Sequence, residues 1–265
     1  MKERIIERLR EIEERYDVRI LYAVESGSRA WGFDSPDSDY DVRFIYVHRR
    51  DWYLTLGQKR DVIEETDPDK VLDLSGWDIR KAFSLMSKGN CSLAEWIGSP
   101  IVYYKDDEFL QELTTLKGTF FRTITTVNHY YHTATNHDKR YLEKRGFELK
   151  RFLYHLRGLL ASQWAIERDT YPPVPFSQLV DGTVKEERIR KEIEEMVILK
   201  KAGSENNCAI VSQPLIDYTE QLNCRIRESL DSLPVGAPVD TTPLNRLLLD
   251  IINREMYRHH ERIST

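Results

Sequence analysis

The chain is poor in the residues that staple a fold or span a membrane. Its 265 residues include only three cysteines, Cys91, Cys208 and Cys224. They lie far apart and form no Cys-x-x-Cys pair, which speaks against a disulfide framework and against a zinc site. No apolar run approaches the roughly 18–20 residues that cross a bilayer, so no membrane partner is expected. The opening segment, MKERIIERLREIEERYDV, lacks the apolar core and small-residue cleavage site of a secretory signal. The expected location is cytoplasmic, with reduced thiols. An excess of positive charge is missing too: the formal net charge is −5. That excludes a protein coated in basic surface for nucleic acid but leaves room for a local basic groove.

What is present is an ordinary globular composition, 40% hydrophobic and 31% charged. The length allows one large domain or two modest ones. Ile5, Ile6, Leu9 and Ile12 recur at helical spacing, which predicts an amphipathic helix over residues 1–16. Val18–Val24 is a β-branched and aromatic run of strand length. It leads into Glu25-Ser26-Gly27-Ser28, where glycine permits a tight turn. Ser35-Pro36-Asp37-Ser38 reads as a loop, and Tyr40–Val47 as a second strand. Residues 51–69 are mixed and polar, fitting a hairpin or irregular insert. Lys70–Leu74 is a short strand candidate, and from Gly76 the pattern turns helical as far as Gly89-Asn90. Leu93–Ile97 makes another short helix.

The second half differs. Residues 107–168 carry helical periodicity almost throughout, Tyr171–Pro175 breaks it, and helices resume over 185–201, 213–231 and 243–258. The expected fold is α+β: a small mixed-sheet domain, residues 1–105, followed by an all-helical domain, residues 106–265, that closes a cleft over the first.

The chemistry concentrates near the first two strands. A Gly-Ser turn offers backbone N–H groups and a hydroxyl to phosphate oxygens. Asp39 and Asp41, two apart on a strand, project from one face. Carboxylates are the ligands Mg²⁺ prefers, usually one or two with substrate phosphates completing the shell. Two such ions about 3.5–4 Å apart stabilise the attacking and leaving oxygens of an in-line transfer. A third carboxylate on a neighbouring strand commonly completes the site. Asp73, flanked by Leu72 and Leu74, is the natural choice. Asp78 is its rival, unless it caps a helix start.

Gly27-Ser28, ten residues, Asp39-Tyr40-Asp41 and then Leu72-Asp73-Leu74 together resemble the nucleotidyltransferase fold of the DNA polymerase beta superfamily. Longer strings resemble the RlaP/YcgL-like nucleotidyltransferases within it. They are Glu25–Phe33, Ser38–Arg43, Gly76–Lys81, Gly89-Asn90, Glu95–Pro100 and Lys150–Arg157, and the likeness spans about residues 20–180. The resemblance implies that Gly27 and Ser28 bind nucleotide phosphates. Asp39, Asp41 and Asp73 would hold two Mg²⁺ ions, or Mn²⁺, and Asp73 would orient the acceptor hydroxyl. Basic residues of the helical part would meet the triphosphate. Lys150 and Arg157, seven apart, share a helix face within a basic cluster that also includes Lys139, Arg140, Lys144, Arg145 and Arg151.

The implied reaction moves an NMP from an NTP, ATP among the candidates, to a hydroxyl acceptor and releases pyrophosphate. RNA is the leading acceptor. The alternatives are nucleotidylation of a protein or a small molecule, or a non-catalytic nucleotide- or RNA-binding module. Against the last stands the clustering of like charges that repel without a metal. Arg29 divides evenly between a phosphate contact and a brace for the Gly-Ser loop. Trp31 and Phe33 read as packing. His129, His132 and His137 lack a metal-binding carboxylate pattern such as His-Glu-x-x-His.

Overall fold

The computed structural model of the chain describes residues 1–141, 147–203, 208–209, 211–236 and 239–263. Side chains are described for all of these except 137–141, 147, 208–209 and 255–263. In order the elements are α1 (Lys2–Tyr16), β1 (Val18–Glu25), α2 (Gly27–Trp31), β2 (Tyr40–His48), α3 (Arg50–Tyr53), β3 (Val62–Thr66), β4 (Leu72–Asp78), α4 (Ile79–Met86), α5 (Cys91–Ile97) and β5 (Val102–Lys105). There follow α6 (Asp107–Lys117), α7 (Thr123–Tyr141), β6 (Phe147–Glu148), α8 (Leu149–Arg168), α9 (Phe176–Thr183), α10 (Glu187–Ala202), β7 (Cys208–Ala209), α11 (Gln213–Leu230) and α12 (Thr242–Ile263). The α+β expectation holds, with a mixed sheet early and helices late. No helix among the described residues is long and apolar enough to cross a membrane.

The chain divides into two compact units that do not follow the expected 1–105 and 106–265 split. One comprises residues 1–26, 39–120 and 238–265, the other 27–38 and 121–237. The loop between the first two strands therefore groups with helices far along the chain. The last helix groups with the sheet, because Leu244, Leu247, Ile251 and Ile252 share a core with Leu21 and Val24.

The first unit is built on a five-stranded sheet in the order β3-β4-β2-β1-β5. β2 and β4 run parallel, and the other neighbours are antiparallel. Alternation sends Val42, Phe44 and Tyr46 of β2, with Leu72 and Leu74 of β4, into one core, where Ile5, Leu9 and Ile12 of α1 cover them. Each such aliphatic side chain contributes about 1.5–3 kcal/mol on burial. Ile45 and Val47 point the other way, against α4, α5, α6 and α12. A register shift between Ile20 and Tyr22 changes the phase of β1 and puts Leu21 and Tyr22 in this second core together.

One boundary corrects the sequence reading. Gly76 lies within a strand and not at a helix start, and α4 begins only at Ile79. The ring of Phe44 on β2 lies over Gly76: a Cβ there would sit 2.1 Å from Phe44 Cε2. Glycine is what lets the two strands pair with that ring between them. Residues 51–69, expected as a hairpin or irregular insert, supply α3 and the edge strand β3.

In the second unit α8 is the central helix, buried along most of its length and packed on α7, α9, α10 and α11. Gly158 allows α7 to come close, since a Cβ there would be 2.7 Å from the Tyr130 carbonyl oxygen.

Candidate functional site

Because Val42, Phe44, Leu72 and Leu74 face the α1 core, the residues between them must face the other side of the sheet. Asp41, Arg43 and Asp73 are those residues. The parallel register sets Asp41 directly beside Asp73, and neighbouring strands lie about 4.8 Å apart. Arg43 bridges the two carboxylates. One terminal nitrogen donates to Asp41 Oδ1 at 2.8 Å and the other to Asp73 Oδ2 at 2.8 Å. The second nitrogen also reaches the carbonyl oxygens of Val42, at 3.1 Å, and Asp73, at 3.3 Å. Thr66 donates its hydroxyl to Asp73 Oδ1 at 3.2 Å. The Asp41 and Asp73 side chains keep 35% and 41% of their surface in solvent. These are wet charges.

Sequence reasoning overlooked the residue that holds Asp41 in place. Glu25 ends β1 and is fully buried. Its Oε1 accepts the Asp41 backbone N–H at 2.7 Å, and its Oε2 accepts the hydroxyl of Tyr103 from β5. Ser26 N–H donates to the Asp41 carbonyl at 2.8 Å, so both backbone groups of Asp41 are clamped. Ser99 secures the clamp by donating its hydroxyl to the Glu25 carbonyl at 2.6 Å. The available signal was a carboxylate closing a strand that is apolar but for Arg19, since a buried charge persists only where donors meet it.

Asp39 precedes β2 and is exposed, so the strand argument that would set it on the Asp41 face does not apply. Asp78 has another occupation. It is fully buried, accepts the Arg80 N–H at 2.9 Å as the N-cap of α4, and accepts the Tyr53 hydroxyl at 2.7 Å. Burial raises its pKa above the usual carboxylate range.

Among the described residues no group of three or more His, Cys, Asp or Glu side chains could hold a metal ion by itself. The donor chemistry at Asp41 and Asp73 nevertheless fits a hard divalent ion. Mg²⁺ takes one or two carboxylates and keeps waters or substrate phosphates for the rest, without needing an all-protein cage.

In the other unit, Gly27 opens α2 with φ at +61°, a left-handed value that a side chain would strain. Ser28 is buried, and its carbonyl accepts the N–H groups of Gly32 and Phe33. Arg29 is a brace: it donates to the Ser38 carbonyl at 2.6 Å and pairs with Asp34 at 3.2 Å. Ser35 and Ser38 share a hydroxyl contact of 3.0 Å, and the buried Lys200 of α10 donates to Ser35 Oγ at 2.8 Å. Arg157 stacks on Trp31 with 4.0 Å to the ring centre and is 4% exposed. Lys150, half-buried, lies 5.9 Å from the Tyr154 ring, and Tyr154 in turn meets Trp31 edge-on at 5.0 Å. Phe33 is packing, fully buried against Tyr154 and Phe176. The side chains of His137, Lys139, Arg140, Lys144 and Arg145 lie outside the described residues.

Three comparisons bear on this arrangement. A family model described as "RlaP: RNA repair pathway DNA polymerase beta family" matches residues 1–250. The uncharacterized protein YcgL of Bacillus subtilis (strain 168) is 42% identical over 252 residues, covering 95% of this chain and 96% of that one. Among solved structures, a nucleotidyltransferase-like protein from Exiguobacterium sibiricum 255-15 aligns over 86% of this chain and 75% of its own. Its identity is 12% and its TM-score 0.32, a likeness too loose to carry an argument.

Proposed function

The chain belongs to the RNA repair pathway DNA polymerase beta family, and from that premise we propose that it is a metal-dependent nucleotidyltransferase acting on RNA. The observation that carries the reading is the pairing of Asp41 with Asp73, in register on parallel strands, on one face and open to solvent. Unlike Asp78, which the fold encloses, both carboxylates remain accessible to a ligand.

In this reading an acceptor hydroxyl attacks the α-phosphorus of an NTP. The new O–P bond forms as the bond to pyrophosphate breaks, and the hydroxyl proton passes to a carboxylate. Asp73 orients and accepts from that hydroxyl. Asp41 and Asp73, with Asp39 two residues before Asp41, would hold the divalent ions, Mg²⁺ or Mn²⁺. Such a metal would supply charge neutralisation at the attacking and leaving oxygens. Gly27 and Ser28 hold nucleotide phosphates, and Lys150 is the more accessible of the two helical cations proposed to meet them. Glu25 and Tyr103 fix the Asp41 backbone and so the direction of its carboxylate.

The test is incubation with each α-³²P-labelled NTP, Mg²⁺ or Mn²⁺, and pooled cellular RNA and protein, beside the Asp39→Ala/Asp41→Ala double variant. Label on RNA that the double variant loses is the expected result. Label on protein moves the reading to protein nucleotidylation. NTP binding without any transfer moves it to a small-molecule acceptor or a binding module.

A further inference from the structure

Arg43 occupies the position of a cation between two carboxylates. Its guanidinium supplies one donor to each, at 2.8 Å, and is anchored from behind by the Val42 and Asp73 carbonyls. Asp73 has both oxygens engaged, one by Arg43 and one by Thr66. Side by side in the register, Asp41 and Asp73 would otherwise repel. Arg43 side-chain exposure is 20%, so the pairing is only partly screened by water.

We propose that Arg43 is a resident counter-cation that a divalent ion must displace from Asp41 and Asp73. The proposal rests on the metal-dependent reading above and adds its regulation. The argument is one of shared lone pairs. An oxygen that accepts from a guanidinium at 2.8 Å cannot point the same lone pair at a metal about 2.1 Å away. A metal that bridges Asp41 Oδ1 and Asp73 Oδ2 on the side facing Arg43 therefore breaks the Arg43 contacts. The carboxylate pair is held in shape by this cation, and its affinity for metal is reduced by the fraction of molecules in which Arg43 is in place. A triphosphate changes the balance, because its oxygens offer the released guanidinium a bidentate partner of the same kind. The site thus loads metal together with nucleotide and resists metal alone. Arg43 is a positioning residue for the carboxylate pair.

The measurement is Mn²⁺ binding, by the loss of free-ion electron paramagnetic resonance signal, on the wild-type chain, Arg43→Gln, Arg43→Lys and Asp41→Asn without nucleotide. Arg43→Gln is expected to tighten Mn²⁺ roughly tenfold, the factor for a guanidinium in place in about nine molecules of ten. Arg43→Lys, which keeps the charge, is expected to stay near wild type. Unchanged or weaker binding in Arg43→Gln overturns the proposal. Should Asp41→Asn bind Mn²⁺ as well as the wild type, the metal site itself is misplaced and the functional reading fails with it. A wild-type measurement avoids dependence on a variant's fold. Saturating Mg²⁺ with a non-hydrolysable NTP should shift the ¹⁵N nuclear magnetic resonance signals of the Arg43 terminal nitrogens away from their positions in the nucleotide-free protein, because their acceptors change. Arg43 signals unmoved at saturation overturn the displacement.

Discussion

The parallel pair β2–β4 has two ends that carry the same residue types and put them to opposite uses. At one end Asp41 lies beside Asp73, and at the other Tyr46 lies beside Asp78. Asp73 and Asp78 sit five residues apart on a single strand. Asp73 is open to water and paired with Arg43. Asp78 is sealed under Tyr53 and the first turn of α4, with Arg80 over the rings of Trp52 and Tyr53. The difference teaches how to separate a carboxylate accessible to a ligand from one enclosed by the fold: by what it touches and how dry it is, and not by its spacing in the sequence.

The comparison can be broken or sharpened by substitution. The largest contrast is between Asp73→Asn and Asp78→Ala. Asp73→Asn should lower nucleotidyl transfer by roughly a thousandfold, the scale of losing a preorganised charge in a transition state, while leaving the melting temperature nearly unchanged. Asp78→Ala should do the reverse. It orphans the Arg80 N–H and the Tyr53 hydroxyl, a loss of about 2–4 kcal/mol, read as a drop in denaturant midpoint. An Asp78→Ala chain that melts like wild type yet loses all transfer would reverse the two assignments.

Tyr53→Phe is the gentler version. Its hydroxyl donates to Asp78 and accepts the His48 N–H at 3.1 Å. Removing it should lower stability by about 1–2 kcal/mol. Transfer per folded molecule should be unaffected.

The smallest effect concerns pH. Burial, with Lys59 nearby, lowers the His48 pKa from its usual value to about 4. The native state therefore binds this proton less readily than the unfolded chain. The His48 contribution is fully present above about pH 6.5 and is lost as pH falls toward 4. Asp78, raised by burial, works in the opposite sense, so the informative quantity is a difference. Wild type should lose more thermal stability than His48→Gln between pH 7 and pH 4.5. Parallel curves for the two would remove His48 from the dry end.

Three of the five strands, β1, β2 and the start of β4, were legible in the sequence because they follow strong local rules, whereas β5 was not expected and β3 lay in a polar segment. Val18–Val24 and Tyr40–Val47 are apolar runs of strand length, and Asp73 stands between two leucines. What stayed hidden depends on partners far along the chain. Gly76 reads as a helix start until Phe44 is seen lying over it. Glu25 reads as the start of a turn until Tyr103, 78 residues later, donates to it. Arg157 reads as a surface cation, but Trp31 takes its guanidinium face and the helices around it remove the water. The grouping of residues 27–38 with helices beyond residue 120 is of this kind as well: no periodicity in a twelve-residue loop announces the lysine at position 200 that holds Ser35.

The interleaved chain path has a consequence for how the protein is made. Leu244, Leu247, Ile251 and Ile252 complete a core begun by Leu21 and Val24. A nascent chain on the ribosome thus carries that face of its sheet covered only by α4, α5 and α6 until residues 244–252 emerge. Such a chain is exposed to aggregation and to chaperone capture for most of its synthesis. For the same reason a fragment cut at residue 105, natural as it looks on paper, removes α6 and α12, part of the cover of the sheet that bears Asp41 and Asp73.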